Sequence, residues 1–303
     1  MTISVIIPTY NGAYKLPNIL DALAKQTYQN FETIVMVDGS TDNTIEILEN
    51  KKNWNLKNFK FVVQQNGGRA KVRNAASKHA TGELLIFFDD DTRPTPTYIQ
   101  NVVKFYAQNL EAILIGNHAL SLDKCQNDFD KFRVHNADNW VKDFKPSPFL
   151  MKTPVMTAAN CSIPTHIFQK LEGFDNHLTD AEDFDMAMRA FELNIPIYFD
   201  FDNIAWHDDF VSCKKYIQRL RQYKQSHIDL ERLKPTLLAK YPVYTTAKLN
   251  FLKRIVYGFF GNFFWVKVID KFNFLQFLPN VLKYKIYDYV ITGLGQYYKN
   301  RSL

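Results

Sequence analysis

An apolar segment runs directly into three acids at residues 81–94, TGELLIFFDDDTRP. The five residues Leu84–Phe88 are all large and apolar, which is typical of a strand covered on both faces of a parallel sheet. Asp89, Asp90 and Asp91 follow at the carboxyl end of that strand. Adjacent carboxylates repel one another, so they favour either full exposure to water or a divalent cation that neutralises them. Their position after a buried strand favours the cation over an acidic surface turn.

Short apolar runs alternate with amphipathic stretches around this strand. Further strands are predicted at Ile3–Ile7, Glu32–Val37 and Phe59–Val63, and apolar residues at helical spacing predict helices between them. One of these helices is Ala-rich and is predicted from about Arg69 to Ala80. The β-α-β-α order predicts an α/β fold with a mostly parallel, twisted sheet flanked by helices.

Ligands of such sheets bind beyond the carboxyl ends of the strands, so these ends are the candidate site. Each predicted strand ends in a polar loop, and two of the loops carry acids. The loops are Pro8-Thr9-Tyr10-Asn11, Asp38-Gly39-Ser40, the segment QQNGG at 64–68, and Asp89-Asp90-Asp91. The sequence therefore predicts one site shared by four loops.

The middle of the chain contributes a second pair of acids. Residues 121–155 are hydrophilic and contain three prolines, which predicts an irregular excursion over the site. A helix is predicted through Asp183–Leu193 and a strand at Ile195–Phe199. Glu182 and Asp183 stand at the start of that helix, where an acid either caps the helix dipole or acts as a general base on an acceptor hydroxyl.

Charge is distributed unevenly along the chain. Residues 211–303 contain 17 Lys and Arg against 4 Asp and Glu, a net charge of +13, so the whole-chain charge of +6 leaves residues 1–210 at −7. Lysines alternate there with Phe, Tyr and Trp, and a helix is predicted at Lys214–Leu233. Aromatic residues and lysines favour an anionic membrane surface, and the alternative is a solvated basic face or a packing surface. The acidic remainder of the chain argues against nucleic acid as a partner.

The first residues, MTISVIIPTY, lack the basic start and the long apolar core of a signal peptide. The three cysteines Cys125, Cys161 and Cys213 form no CxxC pair, which disfavours a disulfide framework or a zinc knuckle. No apolar stretch reaches the ~20 residues of a membrane span. These features predict a cytoplasmic protein, peripheral at the inner membrane face if the basic segment binds lipid.

Seven segments resemble the motifs of family 2 glycosyltransferases, in that family's order, over roughly residues 3–210. They are VIIPTYNG at 5–12, VDGSTDNT at 37–44, NGGRAKVRN at 66–74, TGELLIFFDDDTRP at 81–94, NCSIP at 160–164, GFD at 173–175 and AEDFDMAMR at 181–189. The resemblance implies a GT-A nucleotide-diphospho-sugar transferase fold over 1–210, with a donor-binding half at about 1–120 and an acceptor half at about 121–210. Residues 211–303 would form a basic, aromatic-rich helical extension.

The resemblance also implies residue roles on the donor side. Pro8, Thr9 and Tyr10 match the loop that lines the nucleotide base, and Asp38 matches the carboxylate that accepts the uracil NH. The residue before Asp38 is often a second acid in the family but is Val37 here, which leaves UDP, GDP and dTDP open as the nucleotide.

Further donor contacts are implied for residues in the later motifs. Gly68 and Arg73 match groups beside the nucleotide, Asp90 matches a donor contact, and Asn160 matches the loop under the donor sugar and the acceptor.

The remaining implied roles concern the metal and the proton. Asp89 and Asp91 match the family's DxD motif, with Asp91 as the direct ligand of Mg²⁺ or Mn²⁺. Asp183 matches the catalytic base, and Glu182 assists it or touches the acceptor. His207 is a candidate metal ligand, with a structural histidine as the alternative.

The predicted reaction is inverting, metal-dependent transfer of a hexosyl group from a nucleotide sugar, expected to be a UDP-sugar, to a saccharide or lipid-linked acceptor in glycan synthesis. The alternatives are a nucleotidyltransferase acting on sugar phosphates and a non-catalytic nucleotide-sugar-binding scaffold. The first would carry a Gly-rich basic loop after the first strand, where this chain has PTYNGAYK, and the second would have lost the acids. A dehydrogenase is disfavoured because no GxGxxG follows the first strand.

Overall fold

A computed structural model describes residues 1–50, 54–142, 144–241, 249–272 and 274–303. The chain divides into two compact units. The sheet unit comprises Met1–Leu120 and Val141–Asp208, and the C-terminal unit comprises Ser121–Trp140 and Asp209–Leu303. Residues 121–140, which the sequence places with the acceptor half, therefore group with the C-terminal segment.

The described part of the sheet unit contains one nine-stranded sheet, in the order β3-β2-β1-β4-β8-β6-β9-β5, with β7 paired to β9. The strands are β1 Ile3–Thr9, β2 Glu32–Asp38, β3 Asn58–Gln64, β4 Leu84–Phe88, β5 Thr92–Pro94, β6 Ile113–Ala119, β7 Phe149–Leu150, β8 Asn160–Pro164 and β9 Ile197–His207. The first four are parallel neighbours, as the sequence predicts. Strand β8 runs antiparallel to β4 and β6, so the sheet is mixed beyond β4.

Helices cover both faces of this sheet. They are α1 Leu16–Ala24, α2 Thr44–Glu49, α3 Arg69–Lys78, α4 Tyr98–Tyr106, α6 Thr165–Lys170 and α7 Glu182–Glu192. Side chains alternate along β4, so Leu85 and Phe87 pack with α3, α6 and α7, whereas Leu84, Ile86 and Phe88 pack with α1 and α4. Burial on both faces explains the unbroken apolar run of this strand.

The sequence prediction for residues 121–155 is wrong over its middle, because helix α5 spans Asp128–Val141. Phe129 and Phe132 are spaced for one helical face and are buried in the core of the C-terminal unit. Many polar residues surround them, so the apolar periodicity is weak in the sequence.

Strand β9 also differs from its prediction, since it continues from Phe199 to His207. The polar residues around Asp200 resemble a strand end. The pairing of β6 with β9 instead shifts register between Gly116 and Asn117, where the partner changes from Asp200 to Ile204. This irregularity absorbs the polar residues and carries the strand on to His207.

Helices also form the C-terminal unit, which confirms the predicted helical extension. They are α5 together with α8 Cys213–Leu233, α9 Pro235–Lys240, α10 Phe251–Phe260, α11 Phe263–Lys267 and α12 Asn280–Thr292. Tyr287, Val290 and Leu294 are buried in the core of this unit with Cys213 and Ile217. Within the described ranges, no helix combines the length and the apolar character that crossing a bilayer requires.

Candidate active site

The acids that follow β4 lie beside the end of β1. The Thr9 hydroxyl donates a hydrogen bond of 2.6 Å to Asp90 Oδ2, and both side chains are buried. Gly12 passes so close that a Cβ there would lie 2.8 Å from the same Asp90 oxygen. The first loop is therefore packed directly onto the acid cluster, and Gly12 is required by this close approach.

Lys15 places a positive charge on the same cluster. Its Nζ lies 3.2 Å from Asp90 Oδ1 and 3.1 Å from Asp91 Oδ2. Burial lowers the pKa of Lys15, but the charges of Asp90 and Asp91 outweigh it, so the pKa is raised and the group stays charged. Burial raises the pKa of Asp90 to about 6, although the Lys15 charge opposes that rise.

Asp91 keeps one oxygen available beside His207. Its Oδ1 is buried and makes no hydrogen bond, and it lies 3.5 Å from His207 Nε2. Burial raises the pKa of Asp91, but the neighbouring His207 imidazole, followed by Lys15, outweighs it and lowers the pKa below its usual range. The His118 ring stacks on His207 with centroids 4.0 Å apart.

These groups fit a hard cation that takes few protein ligands. In the part of the chain that the structure describes, no group of three or more His, Cys, Asp and Glu side chains is arranged to hold a metal ion. Mg²⁺ is commonly held by one or two carboxylates, with substrate phosphates and water at its other positions. Asp91 Oδ1, which makes no hydrogen bond and lies beside the His207 imidazole, suits that kind of site.

Arg73 joins the acid cluster to the start of α7. Its guanidinium, 4% exposed, pairs through Nη2 with Asp89 Oδ1 at 2.6 Å and through Nη1 with Glu182 Oε1 at 2.7 Å. Burial lowers the pKa of Arg73, but the charges of Asp89 and then Glu182 outweigh this effect, so the pKa is raised and the group stays charged. Burial raises the pKa of Glu182. One buried side chain on α3 thus connects two acids 93 positions apart in the sequence.

Asp183 follows Glu182 in the first turn of α7 and is half-buried. The helix is preceded by Ala181 at φ +68°, a left-handed conformation that costs a non-glycine residue energy and that often occurs at functional sites. The backbone N–H of Phe184 donates to Asp183 Oδ1 at 2.7 Å, and burial raises the pKa of Asp183. A carboxylate of raised basicity is a better proton acceptor.

Asn160 reaches the site from β8, where it pairs with Phe88, the residue before the acid cluster. The Tyr98 hydroxyl donates to Asn160 Oδ1, and Asn160 Nδ2 is buried without a hydrogen-bond partner. A buried amide donor without a partner is costly unless a ligand satisfies it.

Asp38 organises the loop between β3 and α3. Its Oδ1 accepts from Gln64 Nε2 at 2.7 Å and from the Gly67 N–H at 2.8 Å, and its Oδ2 accepts from the Gly68 N–H at 3.0 Å. Gly68 has φ +85°, which glycine adopts without strain. A carboxylate accepts about four hydrogen bonds, so Asp38 retains room for one more donor.

The sequence-predicted residues therefore form three local groups at the carboxyl edge of β1–β4. Thr9, Asp90, Asp91 and His207 form the first group, Asp89, Arg73, Glu182 and Asp183 form the second, and Asp38 with Gly68 forms the third. The first two are joined because Asp89–Asp91 are consecutive. Pro8 lies within β1, and Tyr10 is 53% exposed at its end.

Three side chains at the site were not predicted from the sequence. They are Lys15, His118 and Tyr98, which contact Asp91, His207 and Asn160. Lys15 is the one basic residue of PTYNGAYK, which follows the first strand, so its position in the sequence could have indicated a role at the site. His118 and Tyr98 lie within a strand and a helix of unremarkable sequence, so only the fold reveals them.

Two family models match this sequence. The model of glycosyl transferase family 2 matches residues 4–162, and that of glycosyl transferase family group 2 matches residues 84–266. The chain is 29% identical over 231 residues to a validoxylamine A glucosyltransferase of Streptomyces hygroscopicus subsp. jinggangensis, which covers 64% of this chain and 52% of that protein. It is 26% identical over 227 residues to the O-antigen chain rhamnosyltransferase RfbN of Salmonella typhimurium, covering 72% and 70%. It therefore spans only about half the length of the first of these relatives.

Solved structures share the fold. A fragment of Staphylococcus aureus TarS in complex with UDP has a TM-score of 0.57 at 22% identity, with 99% of this chain and 92% of that chain covered. The mannosyltransferase PcManGT of Pyrobaculum calidifontis, in complex with GDP-Man and Mn²⁺, has a TM-score of 0.60 at 18% identity, covering 98% and 87%. These likenesses confirm the predicted GT-A fold.

Proposed function

Because this chain belongs to glycosyl transferase family 2, we propose that it transfers a sugar from a nucleoside-diphosphate donor to a hydroxyl of a saccharide or lipid-linked acceptor in glycan synthesis. The observation that carries the proposal is the pairing of buried Arg73 with Asp89 and Glu182, which brings the acid cluster and the start of α7 to one place. A UDP-sugar is the proposed donor, in keeping with the TarS structures that hold UDP and UDP-GlcNAc.

Transfer proceeds as a single displacement. The acceptor oxygen attacks the anomeric carbon while its proton passes to the carboxylate of Asp183. The bond between that carbon and the diphosphate oxygen breaks, and the diphosphate leaves with the electron pair. Attack from the side opposite the leaving group inverts the configuration. The position of Asp183 on the helix that Arg73 anchors fits a base held away from the acids that face the donor.

The donor side depends on the acids and their neighbours. Asp91, with Asp89 and His207 as further candidates, would hold Mg²⁺ or Mn²⁺, which supplies positive charge where the leaving diphosphate becomes negative. Arg73 keeps Asp89 in place and shields its charge from Glu182. The amide of Asn160 supplies a donor for the transferred sugar, and Thr9, Tyr10 and Asp38 border the nucleotide base.

The two alternatives remain distinguishable by experiment. A nucleotidyltransferase would form a nucleoside-diphosphate sugar from a sugar phosphate, whereas a scaffold would bind the donor without turnover. The loop PTYNGAYK lacks the repeated glycines that a nucleotidyltransferase uses on phosphates, and the acids of the site are all present. Release of UDP from a UDP-sugar that depends on an acceptor favours the transferase over both.

Asp183→Asn tests the proposed base, since the amide keeps the size of the side chain but cannot accept the proton. We expect transfer to fall by about 10²–10⁴-fold while UDP affinity stays within about twofold of wild type. Glu192→Gln, at the other end of the same helix, is the matched control and should leave both quantities unchanged. Near-wild-type turnover of Asp183→Asn would remove Asp183 as the base.

We also propose that the C-terminal unit attaches the protein peripherally to an anionic membrane surface. The apolar face comprises ten large apolar side chains between residues 251 and 282, each at least 50% exposed. They are Phe251, Leu252, Ile255, Phe259, Phe264, Phe272, Phe274, Phe277, Val281 and Leu282. Ten exposed large apolar side chains within 32 residues are more than the scattered exposure of ordinary surfaces, and such a concentration favours an interaction surface.

Helix α10 shows how this face is built. Phe251, Leu252, Ile255 and Phe259 fall within an arc of about 100° at 100° per residue. The other side of the helix packs inward, with Tyr257 against Tyr289 and Tyr297. An apolar stripe beside aromatic packing is typical of a helix lying in the plane of a bilayer surface.

Charge favours lipid headgroups as the partner of the apolar face. Lys253, Arg254, Lys267 and Lys271 lie in the same segment and are exposed. Its acid, Asp270, accepts hydrogen bonds from the backbone N–H groups of Cys213 and Lys214, at the start of α8. Exposed rings interspersed with cations match an anionic interface, where each cation contributes about 1 kcal/mol.

Flotation of the full chain with phosphatidylglycerol vesicles tests the membrane proposal. Serine at Phe251, Phe259 and Phe277 should lower the vesicle-bound fraction at least about tenfold, because each ring loses its burial in lipid. Serine at Val63, Leu110 and Leu193, which are exposed apolar positions of the sheet unit, is the matched control. Equal flotation of the two triple variants, or no flotation of the wild type, would overturn the proposal. Equal binding to phosphatidylcholine would show that charge is not part of it.

A further inference from the structure

Lys15 is held at the turn between β1 and α1 with its charge directed at the acid cluster. Its backbone N–H donates to the Gly12 carbonyl at 2.9 Å, and Gly12 is in turn packed against Thr9 and Asp90. From this fixed backbone the side chain reaches both Asp90 and Asp91, at 3.2 and 3.1 Å. The Lys15 ammonium therefore bridges the two acids, and the backbone that carries it is held in place by the turn.

The ammonium lies on the solvent side of the acids. The Lys15 side chain is 43% exposed, whereas those of Asp90 and Asp91 are 10% and 15% exposed. Asp91 is thereby divided, since its Oδ2 contacts Lys15 and its Oδ1 faces His207 without a hydrogen bond. Lys15 Nζ lies only 3.1 Å from Asp91 Oδ2, so a cation that binds Asp91 from the solvent side comes close to the positive charge of Lys15.

The same ammonium is a suitable partner for a diphosphate. Lysine carries a compact charge on a flexible four-carbon chain, and it binds phosphate oxygens as a point charge. Only the backbone of Lys15 is fixed by the turn, so its Nζ can leave Asp91 without any change in the main chain. A donor diphosphate that reached the acid cluster would offer oxygens of higher charge than the carboxylates.

We propose that Lys15 acts as a built-in competitor of the divalent cation, holding Asp90 and Asp91 in the free protein and passing to the donor's diphosphate when it binds. The inference rests on the proposed function, because it assumes a nucleoside-diphosphate donor. Its consequence is coupling: the cation binds weakly alone and more tightly with the nucleotide, and linkage requires that the nucleotide gain equally from the cation. Lys15 is thus a positioning residue for both.

Mn²⁺ binding to the full chain, followed by the electron paramagnetic resonance of free Mn²⁺, tests this without any turnover. Lys15→Met should tighten Mn²⁺ binding in the absence of nucleotide by about tenfold, because a positive charge next to the ion is removed. Addition of UDP should raise Mn²⁺ affinity strongly in wild type and only weakly in Lys15→Met. Lys15→Arg, which keeps the charge, should behave as wild type does.

Lys25→Met is the matched control. Lys25 directly follows α1, as Lys15 directly precedes it, and its side chain is 73% exposed and pairs with Asp21. It should leave Mn²⁺ and UDP binding unchanged. Unchanged or weaker Mn²⁺ binding in Lys15→Met would overturn the inference, as would the absence of Mn²⁺ binding in both proteins or an equal UDP effect in both. Tighter Mn²⁺ binding in Lys15→Met, together with no sugar transfer from any donor, would instead sink the proposed function and leave the competition at Asp91 standing.

Discussion

The two units of this chain differ in how they place the side chains that stand out in the sequence. In the sheet unit the acids that stand out in the sequence are drawn together and paired, as Asp89 and Glu182 are by Arg73. Large apolar side chains that remain exposed there, such as Leu110 and Leu193, are scattered. In the C-terminal unit the aromatic residues that stand out divide into a buried core and the exposed apolar face.

This difference indicates which kind of partner each unit is suited to bind. Charges that converge in a half-buried place and leave atoms such as Asp91 Oδ1 without a hydrogen bond are arranged for a small polar ligand. Large apolar side chains that stay exposed to water across residues 251–282 are suited to a large apolar surface. A transferase that acts on a lipid-linked acceptor has use for both.

The largest expected effect comes from Arg73→Met, which leaves Glu182 buried without its charge partner. We expect the free energy of unfolding to fall by about 3–5 kcal/mol, the usual cost of removing one partner from a buried ion pair. Transfer should be lost with it, because the start of α7 is no longer tied to Asp89. Urea unfolding and a transfer assay measure the two effects.

A second substitution separates stability from function at this pair. In Arg73→Met with Glu182→Leu no charge of the pair remains buried, so most of the lost stability should return while transfer stays low. If Arg73→Met costs less than about 1 kcal/mol, the pair does not hold the site together, and the contrast between the two units weakens.

Identical substitutions at Phe132 and Phe277 sharpen the contrast within the C-terminal unit. Phe132 is 1% exposed and lies in its core, whereas Phe277 is 84% exposed on the apolar face. Phe132→Ala should lower the free energy of unfolding by about 3–5 kcal/mol. Phe277→Ala should change it by less than about 0.5 kcal/mol and reduce vesicle binding instead. Equal losses of stability would show that the face is packed against protein in solution.

The parts of the structure that the sequence predicted correctly share one property: their signals are local. The unbroken apolar run of β4 required burial on both faces, and the polar loops after β1 to β4 had to meet at one edge because the strands are parallel. Helices α3 and α7 begin and end within two residues of their predicted bounds.

The parts that the sequence did not predict depend on distant partners. The apolar residues of helix α5 show only weak helical periodicity, and its two phenylalanines are buried by distant residues in the core of the C-terminal unit. The contact of Lys15 with Asp91 joins residues 76 positions apart, and that of Tyr98 with Asn160 joins residues 62 apart. No periodicity in a single segment encodes such pairs.

The smallest expected effect concerns Glu32, an acid at the amino end of β2 whose carboxylate oxygens are both paired with groups of the protein itself. Its Oε1 accepts from the Ser4 hydroxyl at 2.6 Å, and its Oε2 pairs with Lys60 at 2.8 Å. Burial raises the pKa of Glu32, but the hydrogen bonds from Lys60, Ser4 and Thr81 outweigh it and lower the pKa from 4.5 to about 2.

A lowered pKa in the folded state means that the folded protein holds the proton less tightly than the unfolded chain does. The stabilisation by Glu32 is therefore complete above about pH 4.5 and is lost as the pH falls through about 2. Glu32→Gln should cost about 1 kcal/mol at pH 7, typical of a partly exposed ion pair with hydrogen bonds, and the difference from wild type should shrink as the pH falls below about 4.5. Glu46→Gln, at an exposed position of α2, should show no such difference at any pH. A constant gap between Glu32→Gln and wild type from pH 7 to 3 would mean that the carboxylate charge of Glu32 does not stabilise the sheet.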